Sequence, residues 1–164
     1  MKRNIVLIGM PGAGKSTVGV VLAKTLGYDF IDTDILLSRE QGRPLQRILE
    51  EVGLEEFLRL EGALGARLRC ESTVIATGGS MVLSREGMAN LRAIGDMVYL
   101  EVPYQELERR INNITTRGIA FAPGETLKDL YERRKPLYEK YAEIIIPRAE
   151  NTEAAVSAII TARR

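Results

Sequence analysis

The stretch Gly9-Met10-Pro11-Gly12-Ala13-Gly14-Lys15-Ser16-Thr17 leaves few folds open to this chain. It lies between an apolar run, Ile5-Val6-Leu7-Ile8, and a helical pattern over 18–26. Its spacing, G-x-x-x-x-G-K-[ST], is that of a buried strand turning into a helix around a polyphosphate. Glycines let the backbone close without a Cβ in the way, so N–H groups of Gly12, Ala13, Gly14, Lys15, Ser16 and Thr17 can point at phosphate oxygens. The helix start near Lys15 adds its positive dipole end. Lys15 supplies a mobile cation for the β- and γ-phosphates, and the Ser16 hydroxyl is a hard oxygen suited to Mg²⁺. At average usage the four fixed positions coincide in a chain this long with a probability of roughly one in a hundred or less. The expectation is therefore a nucleoside triphosphate site, not a glycine-rich turn that binds nothing.

A length of 164 residues suits one domain whose core needs neither disulfide nor structural metal. Lys and Arg total 23 against 22 Asp and Glu, so no overall basic field exists to draw nucleic acid, and phosphate attraction must be local. The absence of histidine removes imidazole bases, Ser-His triads and His-ligated zinc, and proton handling falls to carboxylates. Cys70 is the lone cysteine; in the helical-looking Arg67-Leu68-Arg69-Cys70-Glu71 it reads as a partly buried structural thiol. The first residues enter a strand at once and no eighteen-residue apolar segment follows. A cytoplasmic protein without a membrane partner is expected.

A second short strand over 28–31 ends in Asp32-Thr33-Asp34. Carboxylates two residues apart on extended backbone project to the same side, and ligands of a parallel sheet collect at the carboxyl ends of its strands. Asp32 suits Mg²⁺, directly or through water. Asp34 suits accepting or orienting a hydroxyl proton, and either residue can also cap a helix starting at Ile35.

Helical patterns follow over 35–40, 45–51 and 54–70. The last carries Leu54, Phe57, Leu58, Glu61, Leu64 and Leu68 at spacings of three and four, a packing face on which Glu61 is either a surface residue or a buried partner for an arginine. A strand over 72–77 precedes Gly78-Gly79-Ser80, which either bares N–H groups toward a ligand or simply turns. Ser84 caps a helix to Ile94, Gly95-Asp96 turns, a strand spans 97–100 and a helix 104–112. The segment from Thr115 to Gly124 lacks helical periodicity and suggests a lid, on which Arg117 is a transition-state cation or a solvated one. The helix over 127–141, with Glu132-Arg133-Arg134-Lys135, reads as a solvated face. A strand over 143–146 and a helix capped by Asn151 or Thr152 complete an α/β pattern: five parallel strands with helices on both faces.

Gly9 to Thr17, Asp32-Thr33-Asp34, Phe57-x-x-x-Glu61, Ala76-Thr77-Gly78-Gly79, Arg117 and Arg134-x-Pro136-Leu137-Tyr138 stand in the order and spacing of the shikimate kinase family. The resemblance covers nearly the whole chain. It implies a P-loop, nucleoside-monophosphate-kinase-like fold with strand order 2-3-1-4-5, substrate-binding helices over about 34–70 and a lid over about 113–124. It also implies ATP- and Mg²⁺-dependent phosphorylation of the 3-hydroxyl of shikimate, giving shikimate 3-phosphate and ADP, by a monomer in aromatic amino-acid synthesis. Carried over residue by residue, Lys15, Asp34 and Arg117 are catalytic. The phosphate loop with Arg110 and Arg117 holds the nucleotide, Arg110 against adenine. Asp34, Gly79 and Arg134 hold the substrate, the last by its carboxylate, and Ser16 and Asp32 serve Mg²⁺.

The chain departs from the family in three places. Where the family has Phe-Arg-x-x-Glu, this sequence has Phe57-Leu58-Arg59-Leu60-Glu61, and Arg59 lies about 100° further round the helix. A hydrogen-bonded arginine–carboxylate contact contributes on the order of 1.5–3 kcal/mol, enough to shift preference to another hydroxylated metabolite; Arg59, Arg134 and Arg43 are the candidates to compensate. Ser80 replaces a third glycine. The family's lid Arg-Pro-Leu-Leu is Arg117-Gly118-Ile119-Ala120, and a lid unable to close would leave a nucleotide-binding regulator.

Overall fold

A computed structural model describes residues 3–111 and 119–164. The apolar run ahead of the phosphate loop forms β1 (Asn4–Ile8), buried at every position. The other strands are β2 (Asp29–Asp32), β3 (Thr73–Ala76), β4 (Gly95–Leu100) and β5 (Ile144–Ile146), and the parallel sheet has the order β2-β3-β1-β4-β5. Parallel neighbours need crossovers, and seven helices flank the sheet among the described residues: α1 (Lys15–Leu26), α2 (Thr33–Gln41), α3 (Leu45–Arg67), α4 (Arg85–Ile94), α5 (Tyr104–Arg110), α6 (Leu127–Tyr141) and α7 (Thr152–Ala162). No helix among the described residues is long and apolar enough to cross a membrane.

Register places the site. Asp32 and Leu7 are both level with Ala76, so β1, β2 and β3 end together and release the phosphate loop, the Asp32-Thr33-Asp34 turn and the Thr77–Ser80 turn at one edge. The main core surrounds the sheet. A smaller cluster, Leu37, Ile48, Phe57, Leu64 and Ala120, joins α2 and α3 to the described end of the expected lid.

Local chemistry moves several boundaries. Asp32 caps α2, its Oδ1 accepting from the Asp34 and Ile35 amides at 2.9 and 3.2 Å, so the helix begins at Thr33. Gly53 interrupts α3 with φ 84°, where the sequence has two helices. α3 ends at Arg67, so Cys70 lies on the non-helical approach to β3 and not on a helix. Gly95 opens β4 where a turn was expected, because it pairs with Asn4 so closely that a Cβ would come within 2.8 Å of the Asn4 carbonyl oxygen. Asn151 caps α7, accepting from the Ala154 amide at 2.8 Å.

Candidate active site

The three strand ends line a cavity of about 430 Å³, within the range of small-molecule sites. Gly12, Gly14, Lys15, Ser16 and Thr17 border it. Gly14 is the N-cap of α1 with φ 90° and supplies no side chain to the first-turn amides; that backbone suits glycine, and the orphan N–H groups suit an anion. Ala13 is buried, and its amide, expected to face phosphate, donates to the Met10 carbonyl at 3.1 Å because the loop closes on itself there. The Ser16 hydroxyl is exposed and donates to Asp32 Oδ2 at 2.6 Å, while the other oxygen of that carboxylate is engaged in capping.

Lys15 is only 8% exposed, and its Nζ donates to the Gly9 and Met10 carbonyls at 2.6 and 2.8 Å. Burial pulls its pKa down to about 8; Asp34 opposes that shift and Arg134 adds to it. Asp34, in the first turn of α2, also faces the cavity. Burial and then the Asp32 charge push its pKa up to about 6, against the pull of Lys15. An acid poised near neutrality beside a buried cation suits handling a hydroxyl proton next to a phosphate.

A second carboxylate faces the same space. Glu61 on α3 is 3% exposed and accepts from the Ser80 hydroxyl at 2.5 Å. Burial and then Asp34 raise its pKa to about 7, opposed by the Ser80 bond, Arg134 and Lys15. Gly78 runs between the two acids, and a Cβ there would collide with the carboxylates of both Asp34 and Glu61. Arg134, 1% exposed, donates from Nη2 to the Ala120 carbonyl at 3.0 Å, and its Nε has no partner among the described residues. It sits in the buried stripe Leu127, Leu130, Arg134, Tyr138 of α6, so the charged run there is not wholly a solvated face.

Arg110 borders this cavity and a neighbouring one of about 250 Å³ lined in part by Val18, Leu100, Val102 and Pro147; its Nη1 donates to the Gly12 carbonyl at 3.2 Å. Gly79 lies on the cavity wall against Pro11. Arg117 and the expected lid up to 118 lie outside the described residues. Ile119 and Ala120, buried, close one side of the cavity.

The structure also sorts the arginines that could offset Leu58. Leu58 packs against the smaller core and borders a separate groove. Arg59 is exposed and paired with Glu56 at 2.5 Å, and Arg43 is paired with Glu51. Of the three, Arg134 alone borders the cavity. Sequence reasoning left Glu61 and Ser80 out of the site; the signal for Glu61 was an acid on an otherwise apolar helical face.

No group of three or more acidic or sulfur ligands that could hold a metal is present among the described residues. A hard cation beside Ser16 and Asp32 would draw most of its ligands from phosphate and water, the habit of Mg²⁺, and the oxygen donors fit it.

The sequence model of the shikimate kinase family matches residues 11–163. The chain is 37% identical to the shikimate kinase of Haemophilus influenzae (strain PittEE), over 97% of this chain and 91% of that one. It is 38% identical to that of Vibrio cholerae (serotype O1, strain ATCC 39541), over 96% and 91%. The solved shikimate kinase of Acinetobacter baumannii in complex with shikimate superposes with a TM-score of 0.91 at 30% identity, covering 99% of this chain and 93% of that one. A phosphate loop, two cavity-facing carboxylates and an inward arginine at the carboxyl ends of the strands thus coincide with similarity in sequence and fold over nearly the whole chain: the chain belongs to the shikimate kinase family.

Proposed function

We propose that this chain is an ATP- and Mg²⁺-dependent kinase that phosphorylates the 3-hydroxyl of shikimate, yielding shikimate 3-phosphate and ADP. The observation that carries this is the convergence of Lys15, Asp34 and Arg134 on one cavity, in a fold that superposes on a shikimate-bound relative. First-turn amides of α1 and Lys15 bind the polyphosphate, Lys15 exchanging the Gly9 and Met10 carbonyls for phosphate oxygens. Asp34 orients the acceptor hydroxyl at the γ-phosphorus and accepts its proton as the new P–O bond forms and the β,γ-bridging bond breaks. Arg134 and the Gly79 amide hold the acceptor, Arg110 covers the base, and Arg117 is assigned to the transferring phosphoryl group by the family resemblance alone. Ser16 and Asp32 would hold Mg²⁺, which neutralises charge on the phosphates when bound.

Residues 1–164 act as one domain on this reading, consistent with a single sheet carrying all five strands. A cytoplasmic monomer fits a lone Cys70 and exposed large apolar side chains limited, among the described residues, to Val20, Ile35 and Ile145. A coupled ADP-release assay with shikimate tests the function; turnover that does not depend on shikimate refutes it. The position of Leu58 outside the cavity favours, as a second reading, a different hydroxylated acceptor, which the same assay over gluconate and homoserine detects.

A further inference from the structure

The Gly78-Gly79-Ser80 turn carries two amides that are uncommitted among the described residues. Neither the Gly79 nor the Ser80 N–H finds an acceptor among the described residues, although both residues line the cavity. The peptide before Gly79 is held by the Met81 amide, which donates to the Gly78 carbonyl at 3.1 Å. The peptide after it is held from outside the turn: Tyr138 Oη on α6 donates to the Gly79 carbonyl at 2.6 Å. In a planar trans peptide the carbonyl and the N–H point in opposite directions. Anchoring the Gly79 carbonyl toward α6 therefore turns the Ser80 N–H away from α6.

Tyr138 is itself immobilised. It is 1% exposed, and its ring stacks on Tyr99 of β4 with centroids 5.3 Å apart. Arg134 lies one helical turn earlier on the same face, bringing Nη1 within 3.3 Å of where a Gly79 Cβ would be. Helix α6 thus delivers a guanidinium and a fixed hydroxyl to one residue of the turn. We propose that Tyr138 is a positioning residue for acceptor binding, aiming the Ser80 amide at the acceptor's oxygen atoms through its bond to the Gly79 carbonyl. The inference rests on the kinase reading above for the identity of the acceptor.

Tyr99 supplies a matched control. Its hydroxyl is buried without a partner among the described residues, so Tyr99→Phe removes the same atom from the neighbouring ring without touching the turn. In steady-state assays with ATP and shikimate, Tyr138→Phe should raise the shikimate KM roughly three- to tenfold, the worth of one hydrogen bond. The ATP KM should stay within about twofold, and Tyr99→Phe should leave both unchanged. Equal shikimate KM values in the two variants overturn the proposal, as does a parallel rise in both KM values. Should Tyr138→Phe not fold, 3,5-difluorotyrosine at position 138 serves instead. Its hydroxyl loses the donated proton at lower pH, so the shikimate KM should rise toward alkaline pH more steeply than in the wild type. An unchanged pH profile overturns the proposal. Absence of shikimate-dependent turnover in the wild type would refute the kinase reading itself, an outcome separate from either of these.

Discussion

Ser80 donates its hydroxyl to Glu61 at 2.5 Å, and that bond ties the glycine turn to an acid held deep in α3. Glu61 has no ion pair among the described residues; Arg134 and Lys15 reach it only as nearby charges. Its folded pKa, about 7, lies above the ordinary carboxylate value of 4.5.

The sign of the linkage follows. Between about pH 4.5 and 7 the folded chain holds more protons than the unfolded one at Glu61, so this residue's contribution to stability falls as pH rises through that window. Glu61→Gln keeps an acceptor for Ser80 and removes the buried charge. We expect the free variant to match the wild type at pH 5 and to exceed it at pH 8 by on the order of 2 kcal/mol. Thermal melts at the two pH values check this, and a variant less stable than the wild type at pH 8 contradicts it.

Lys15 titrates in the opposite sense. Burial holds its pKa down to about 8, and a bound polyphosphate must raise it by adding negative charge. Nucleotide binding at pH 8 should therefore take up on the order of half a proton. Calorimetric titrations in buffers of differing ionisation enthalpy measure it. Lys15→Met should remove the larger share of the uptake, leaving the part that Glu61, with its pKa of about 7, takes up beside the bound phosphates; undiminished uptake in that variant places the titrating group elsewhere.

Asp34→Asn preserves shape and removes the carboxylate proposed to accept the proton. Its turnover with shikimate should fall roughly 10²- to 10⁴-fold, with nucleotide affinity within a few-fold of the wild type by fluorescence titration. Unchanged turnover would remove Asp34 from the chemistry.

How far the sequence alone reaches differs from residue to residue. The phosphate loop and β1 are legible because the buried parallel strand is apolar from Ile5 to Ile8 and the glycine spacing is fixed along the chain. Strand order came from resemblance, since parallel register leaves little mark on single strands. Arg134 reads as solvated when its helix is judged by charge, yet it occupies the stripe Leu127, Leu130, Arg134, Tyr138; periodicity outranks charge there. Asp32 and Asp34 are visible as a pair, but their division of labour depends on which amides end up donating to Asp32, here those of Asp34 and Ile35. The Glu61–Ser80 bond joins residues 19 apart, and no local pattern announces it.

Arg134 and Arg59 make a contrasting pair for acceptor recognition. Arg134 is buried on the cavity wall, whereas Arg59 is exposed and paired with Glu56. Arg134→Lys loses the planar fork and should raise the shikimate KM roughly tenfold or more, leaving the ATP KM nearly constant. Arg59→Ala should change neither by more than about twofold. A large shikimate effect from Arg59 would mean that it, not Arg134, offsets Leu58.

Gly78 offers a test that alters no charge. Its Cα passes between the Asp34 and Glu61 carboxylates so closely that one added methyl meets both. Its amide donates to the Thr33 hydroxyl at 3.0 Å, so the backbone is held and the side chains must yield. Gly78→Ala should therefore displace the Asp34 carboxylate, proposed above to aim the acceptor hydroxyl, at a stability cost of about 1–3 kcal/mol. Because a misplacement of about 1 Å can cost about 10²-fold in rate, turnover with shikimate should fall by that order while the nucleotide still binds. Single-turnover assays paired with thermal melts separate the outcomes: a folded, nucleotide-binding variant with undiminished turnover would show that Asp34 does not depend on this close approach.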